Sequence, residues 1–330
     1  MVGKQQVILT FDYELFFGDR SGTVQKTLIE PTNIILDAMD SVGFKGNFFV
    51  DWQMLKYLRQ ENNVRCKNDY TLIVTQLKDI VRRGHRIELH IHPHWVDAKY
   101  KGNGTWDFSD FKHYSLLSFS RDRVVEMFIE GYELLTSIAR EVCPDYKIIA
   151  FRAGGWAVQP FGILKDAFIK TGIHVDSSTM PGVEIKTDYS YCNFLNITKP
   201  TSGWYRFSDS VEICKQDGEF IEVPISSVKP NLISRVFGKI SRMFGANYTP
   251  LSDGTHIRRN NNPDKWNVPS HEVVCTFSTV SPLEGLFRIA LASGNTFCFI
   301  DHPKDVTKQT KRSIQILSFF CKSKLLSEFV

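Results

Sequence analysis

Seven short apolar runs punctuate the chain: Val7–Phe11, Asn47–Val50, Ile87–His92, Ile148–Arg152, Ile173–Asp176, Phe220–Ile225 and Phe297–Asp301. Each has the length and β-branched or aromatic content of a strand. Most stay apolar at consecutive positions rather than alternating, as strands do when both faces of their sheet are covered. Between most of them the hydrophobic period lengthens to that of a helix, over Thr32–Ser41, Tyr70–Arg83, Arg121–Val142, Phe161–Lys170 and Leu283–Ala292. Several of these end at a glycine, Gly43, Gly84, Gly172 or Gly294, which can take the left-handed conformation that stops a helix. Strands alternating with helices predict a parallel sheet with crossover connections, and the doubly covered strands favour a closed or nearly closed (β/α) barrel. A single domain over residues 1–330 is expected, since barrels with insertions reach this length.

Two stretches break the alternation. Residues 95–120 contain KGNGTWDF and are rich in Gly, Asn and aromatics, which suits a substrate loop over a site. In residues 229–268, Leu232, Ile233, Val236, Phe237, Ile240, Met243 and Phe244 recur at helical spacing, with Arg235, Lys239 and Arg242 on the opposite side. Such a Leu232–Phe244 helix can make peripheral contact with an anionic inner-membrane surface. The same stripe can pack on its own barrel or on a second subunit, which is the commoner use of an amphipathic face.

Composition narrows the class. An apolar share of 42% and a charged share of 23% belong to an ordinary globular protein, and no run approaches the ~18 apolar residues of a membrane span. The opening MVGKQQVILTF runs straight into a strand without a secretory signal, so a cytoplasmic location is expected. The seven cysteines are scattered and never spaced C-x-x-C, which reads as reduced core thiols. A net charge of +4 is too slight to imply nucleic-acid binding.

Polar residues then concentrate at one end of the predicted strands. Asp12, Glu14, Asp51, His90 to His94, Arg152, Asp176 and His302 all fall at or just beyond C-terminal strand ends, where barrel enzymes build their sites. Three of the nine histidines lie within five residues. Asp12 and Glu14 are i,i+2 and share one face of a strand; His90 and His94 are i,i+4 and share a face if a helical turn follows. Imidazole and carboxylate are the usual ligands of a catalytic zinc-type ion, so this cluster can assemble a divalent-metal site. Loop-stabilising hydrogen bonding is the competing account of the same residues.

Taken in order, LTFDYE, GFKGNFFV, ELHIHPH, FRAGGW, VDSS and FIDHP resemble the motifs of the polysaccharide deacetylases with a NodB homology domain, carbohydrate esterase family 4. The resemblance runs from about Val7 to His302 and points toward a branch associated with bacterial surface-polysaccharide biosynthesis. It implies a distorted seven-stranded (β/α) barrel of the NodB type and removal of an N-acyl group, N-acetyl first, from an amino sugar that is a saccharide, nucleotide sugar or lipid-linked intermediate. It also implies site residues: Asp12 as catalytic base, Arg152 as its partner, and Glu14, His90 and His94 as ligands of one divalent ion, Zn2+. Asp176 would orient His302, the acid that protonates the leaving amine. His92 is an additional candidate ligand or substrate contact. The chain departs from the usual pattern at Tyr13, at Ile91 and after Asp176, where many members carry a second acid, a Ser or Thr, and a Trp. Two rivals remain open: another metal-dependent barrel hydrolase of the amidohydrolase or phosphoesterase type, since His90-Ile91-His92 also fits an H-x-H ligand pair, and a catalytically silent sugar-binding homologue.

Overall fold

The computed structural model describes residues 5–18, 20–187, 189–197, 199–229, 236, 248–256, 272–276, 278 and 295–330. Strands form at all seven predicted runs: β1 (Gln5–Tyr13), β2 (Gly46–Asp51), β3 (Arg86–Ile91), β4 (Ala150–Ala153), β5 (Val175–Asp176), β6 (Phe220–Glu222) and β7 (Thr296–Asp301). They lie in the order β6-β5-β4-β3-β2-β1-β7, and every neighbouring pair is parallel. An antiparallel strand, Tyr205–Phe207, adds outside β6, and Cys321–Ser323 pairs with the first residues of β1. The two ends of the sheet approach each other. Beyond β6, Ser226 N–H donates to Cys298 O of β7 at 2.9 Å, and Ile300 N–H donates to Cys275 O at 3.0 Å. Isolated hydrogen bonds take the place of a ladder there, which is the distortion in the barrel.

Among the described residues, five helices connect these strands and a sixth follows β7: α1 (Glu30–Asp40), α2 (Trp52–Gln60), α3 (Val64–Arg82), α4 (Arg121–Arg140), α5 (Lys165–Thr171) and α6 (Thr310–Phe320). The Asn63 and Ser120 side chains cap α3 and α4 by accepting from Arg65 N and Arg123 N. Gly43, Gly84 and Gly172 take positive φ, as their place after a helical run requires. Helix α2 follows β2 with no turn between them, so no punctuation in the sequence announces it. The runs Leu283–Ala292 and Leu232–Phe244, and Gly294, fall outside the described residues, apart from Val236, which is exposed.

Strand parity divides the core. Val7, Leu9, Phe11, Phe48, Val50, Ile87, Leu89 and Phe151 point toward the helices and join the large outer cluster. Ile8, Phe49, Ala150, Val175, Ile221 and Cys298 point inward and, with Val223 and Leu326, fill the interior as a separate apolar cluster. Burying each such side chain stabilises the fold by about 1.5–3 kcal/mol relative to exposure. The inward parity continues past this plug to Thr10 and Asp12 on β1, His90 on β3 and Arg152 on β4, so the same alternation that fills the barrel aims polar groups at its mouth.

Residues 95–120 fold over that mouth as a hairpin, Lys99–Gly102 with Thr105–Asp107, followed by a turn of 3-10 helix at Leu116–Ser118. No disulfide joins any of the seven cysteines; Cys143 and Cys214 are exposed, so the expectation of core thiols holds for the other five. Among the described residues no helix is long and apolar enough to cross a membrane.

Candidate metal centre and its polar surround

Asp12 and Glu14 leave β1 on its inward face. Arg152, fully buried, reaches across from β4 and donates from Nη1 to Asp12 Oδ1 at 2.6 Å. Its remaining donors are satisfied by Ser177 O at 2.7 Å, Thr10 Oγ1 at 2.9 Å and Ser177 Oγ at 3.0 Å, and its plane lies 4.3 Å from the Phe49 ring centroid. Burial pushes the Asp12 carboxyl up, but the charges of Arg152, His90 and His302 outweigh it and hold the group below its usual value.

Glu14 is surrounded by nitrogen. Its Oε2 lies 2.5 Å from His92 Nε2 and 3.1 Å from His90 Nε2, and its Oε1 lies 2.6 Å from Lys304 Nζ. Burial opposes ionisation, yet Lys304 and the two imidazoles hold the Glu14 carboxyl well below its ordinary range. His90 Nδ1 is 2.7 Å from Arg152 O. A carbonyl only accepts, so Nδ1 carries a proton toward Arg152 O, and Nε2 is the ring atom that faces Glu14 Oε2 and would be offered to a cation. His92 Nδ1 is buried and has no partner. Ligand atoms of Glu14, His90 and His92 all lie within 4.8 Å of one another. Two imidazole nitrogens and a carboxylate oxygen on one side of a pocket are a donor set that fits a divalent cation of the zinc type.

The histidines that the structure gathers beside Glu14 are His90 and His92, whereas the expected pair is His90 and His94. The reason is a proline: the residue before proline is disfavoured in helical conformation, so His92 stays non-helical (φ −108°, ψ 90°) and the 3-10 turn Pro93–Asp97 starts only after it. His90 and His92 therefore share the strand face at period two, and His94 is carried into the covering loop. There it packs against Phe17, Phe108 and Tyr114, with ring centroids 4.4, 5.5 and 5.6 Å away. Both its ring nitrogens are buried without partners, and burial, then His92, holds its pKa well below the usual value. Gly154 lets the FRAGGW turn close on this cluster: a Cβ there would stand 2.4 Å from Ile91 O and 2.7 Å from His92 Nδ1. Asp51, at the end of β2, accepts from Trp95 Nε1 at 2.6 Å, and burial raises its pKa to about 7.

The same His-Pro device recurs after β7. His302 is extended before Pro303, and the 3-10 turn Pro303–Asp305 brings Asp305 Oδ2 to 3.3 Å from His302 Nδ1. His302 Nε2 then faces Asp12 Oδ2 at 3.6 Å and Glu14 Oε1 at 3.7 Å. Burial lowers the His302 pKa, but the hydrogen bond to Asp305 and the charges of Asp12 and Asp305 together outweigh it, and the net shift is upward. Asp305 also pairs with the exposed His256 at 2.7 Å. The expected orienting acid, Asp176, does not touch His302. On β5 it is Val175 that joins the inner cluster and Ser177 that meets Arg152, so Asp176 has the opposite parity. It is bonded instead to Ser178 Oγ at 2.8 Å and coupled to Glu222, its register partner on β6. Burial, then Asp176, drives the Glu222 pKa well above its usual value.

Lys304 and Asp305 are the site residues that sequence reasoning missed. The signal for Asp305 was present in the HPKD order, since a proline-started turn of three residues sets i beside i+3.

Comparison with known proteins places the fold. No family profile and no curated protein sequence matches the chain. Solved structures do. One is a protein from Parabacteroides distasonis described as a candidate glycoside hydrolase/deacetylase, 12% identical over 96% of this chain and 66% of that one, with a TM-score of 0.50. Another is a 4-alpha-glucanotransferase from Thermococcus litoralis, 14% identical over 99% of this chain and 40% of that one, TM-score 0.49. A third is a candidate polysaccharide deacetylase from Mycobacterium smegmatis, 14% identical over 100% of this chain and 90% of that one, TM-score 0.47. Of these three, the first alone reaches 0.50, and at its identity it establishes a shared fold and nothing of the chemistry.

Proposed function

We propose that the chain hydrolyses the N-acetyl group of an amino sugar with a divalent cation, Zn2+ first, held by Glu14, His90 and His92. The observation that carries this reading is the Asp12–Arg152 pair at 2.6 Å beside those three ligand groups, with His302 facing it. When bound, the cation supplies Lewis acidity toward a water and the amide carbonyl. Asp12 takes the proton of the attacking water on Oδ2, because Oδ1 is tied to Arg152. Arg152 keeps that carboxylate ionised and aimed. His302 returns a proton to the leaving nitrogen from Nε2, with Asp305 holding Nδ1–H; that role passes to Asp305 from Asp176. The covering loop 95–120 supplies Phe108, Phe111 and Tyr114 as a wall beside His94, on the side from which a saccharide would enter. A substrate from cell-surface polysaccharide synthesis follows from the motif resemblance.

The test is acetate release from acetylated amino sugars and their oligomers by the metal-loaded protein, alongside Asp12→Asn. The expected result is turnover in the wild type and loss of turnover with retained metal in the variant. Full activity in Asp12→Asn removes the base assignment. Saccharide binding with no acetate released by either protein replaces the hydrolase with a sugar-binding protein.

A further inference from the structure

Lys304 has no place in the hydrolytic scheme, yet it is almost fully buried at the centre of the site. Its ammonium donates to Glu14 Oε1 at 2.6 Å and to Leu15 O at 3.2 Å. The rings of Phe16 and Phe17 lie 5.5 and 5.2 Å away and close the remaining sides. This is a built seat for a cation, and the cation in it belongs to the chain.

The charges around it balance without a divalent ion. Asp12 is matched by Arg152 at 2.6 Å and Glu14 by Lys304 at 2.6 Å. Asp305 is held by His256 at 2.7 Å and His302 at 3.3 Å, and Asp51 accepts from Trp95. His302 Nε2 stands 3.7 Å from the same Glu14 oxygen that Lys304 holds. A divalent ion entering beside Glu14 Oε2 thus adds two positive charges to a buried pocket where Asp12, Glu14 and Asp305 already have charged or imidazole partners. Like charges repel strongly where water is excluded. Lys304 also settles which oxygen is offered: with Oε1 taken, only Oε2 faces His90 and His92.

We infer that Lys304 is a tethered competitor for the cation site: it holds Glu14 pre-aimed in the metal-free protein and keeps divalent affinity low, so the ion is taken up and released reversibly. This rests on Glu14, His90 and His92 being the cation site, and it makes metal availability the control on that site. In catalytic terms Lys304 is a positioning residue acting through Glu14.

The experiment is titration of Zn2+ and Co2+ against a chromophoric chelator at pH 7.5, using the full chain stripped of metal. Lys304→Met is expected to bind at least about tenfold more tightly than wild type, since a like charge close to the ion is removed. Lys304→Arg keeps the charge and is expected to stay within about threefold of wild type. Lys304→Gln, which retains a donor to Glu14 without the charge, is titrated in parallel, so that misfolding of the methionine variant leaves the sign readable. Visible absorption of the Co2+ forms shows whether the same ligands are used in each. A purely structural lysine gives the opposite order, because loosening Glu14 weakens binding. Equal or weaker affinity in both neutral variants, or no ion bound by any form, overturns the inference. Acetate release is not read in this titration, so failure of the hydrolase assignment and failure of the Lys304 assignment give separate results.

Discussion

Replacing Arg152 with Met tests the centre of the arrangement, because the change keeps an apolar stem and removes the charge and the fork of donors, with the guanidinium that lies over Phe49. Asp12 is left buried without its counter-ion, and breaking a buried pair from one side costs about 3–5 kcal/mol. Thr10 Oγ1, Ser177 Oγ and Ser177 O lose a donor as well. The pH dependence has a definite sign. In the wild type the folded Asp12 value lies below the reference 3.8, so its contribution is present above that pH and lost as pH falls through the folded value. Without Arg152, burial dominates and the folded value rises above the unfolded one. Ionised Asp12 then costs about 1.4 kcal/mol for each unit of that rise, fully so once pH exceeds the folded value. The deficit of Arg152→Met is therefore expected to be larger at pH 8 than at pH 5. Urea unfolding of metal-free protein at the two pH values measures it, and Asp12→Asn plus Arg152→Met is expected to recover part of the loss by removing the stranded charge. A deficit under about 1 kcal/mol, or one that does not change with pH, would refute the reasoning.

Four further outcomes are expected. His92→Ala should weaken zinc binding by more than about a hundredfold and His94→Ala by less than about tenfold, read by chelator competition; the reverse order would restore the i,i+4 pair. Asp305→Asn removes the bond that raises the His302 pKa, so the basic limb of the pH–rate profile should move to lower pH, whereas Asp176→Asn should leave it in place. Gly154→Ala puts a Cβ against Ile91 O and the His92 ring and should cost about 1–3 kcal/mol by denaturant midpoint, with weakened metal binding alongside. Glu222, whose pKa is pushed up by burial and by Asp176, should tolerate Gln within about 1 kcal/mol; Leu should cost about 1–3 kcal/mol by stranding the Thr179 donors.

The barrel was legible because hydrophobic period and strand length are local properties. Runs such as Val7–Phe11 and Phe297–Asp301 have the length and β-branched or aromatic content of strands, and parallel pairing follows from the helices between such runs. The collection of Asp12, Glu14, the histidine cluster, Arg152 and His302 at one end was legible for the same reason: each ends such a run, and parallel strands put all such ends together. Helix α2 was not, since it starts at Trp52 directly from β2 with no capping or turn signal.

Which of the gathered residues touch depends on strand parity and on where the chain leaves the strand. A shift of one residue turns a side chain to the other face. Asp176 is one position away from Ser177 and so meets Glu222 instead of the site. His92 remains on the strand face because Pro93 delays the turn, and His94 is lost to the aromatic wall. Lys304 shows the limit most clearly: nothing in the chain marks a lysine two residues past His302 as the partner of an acid 290 positions earlier. The sequence by itself determined the barrel and the end of it that carries chemistry. Only the tertiary structure decided the contacts, because they are made between strands whose register and facing no single stretch of chain contains.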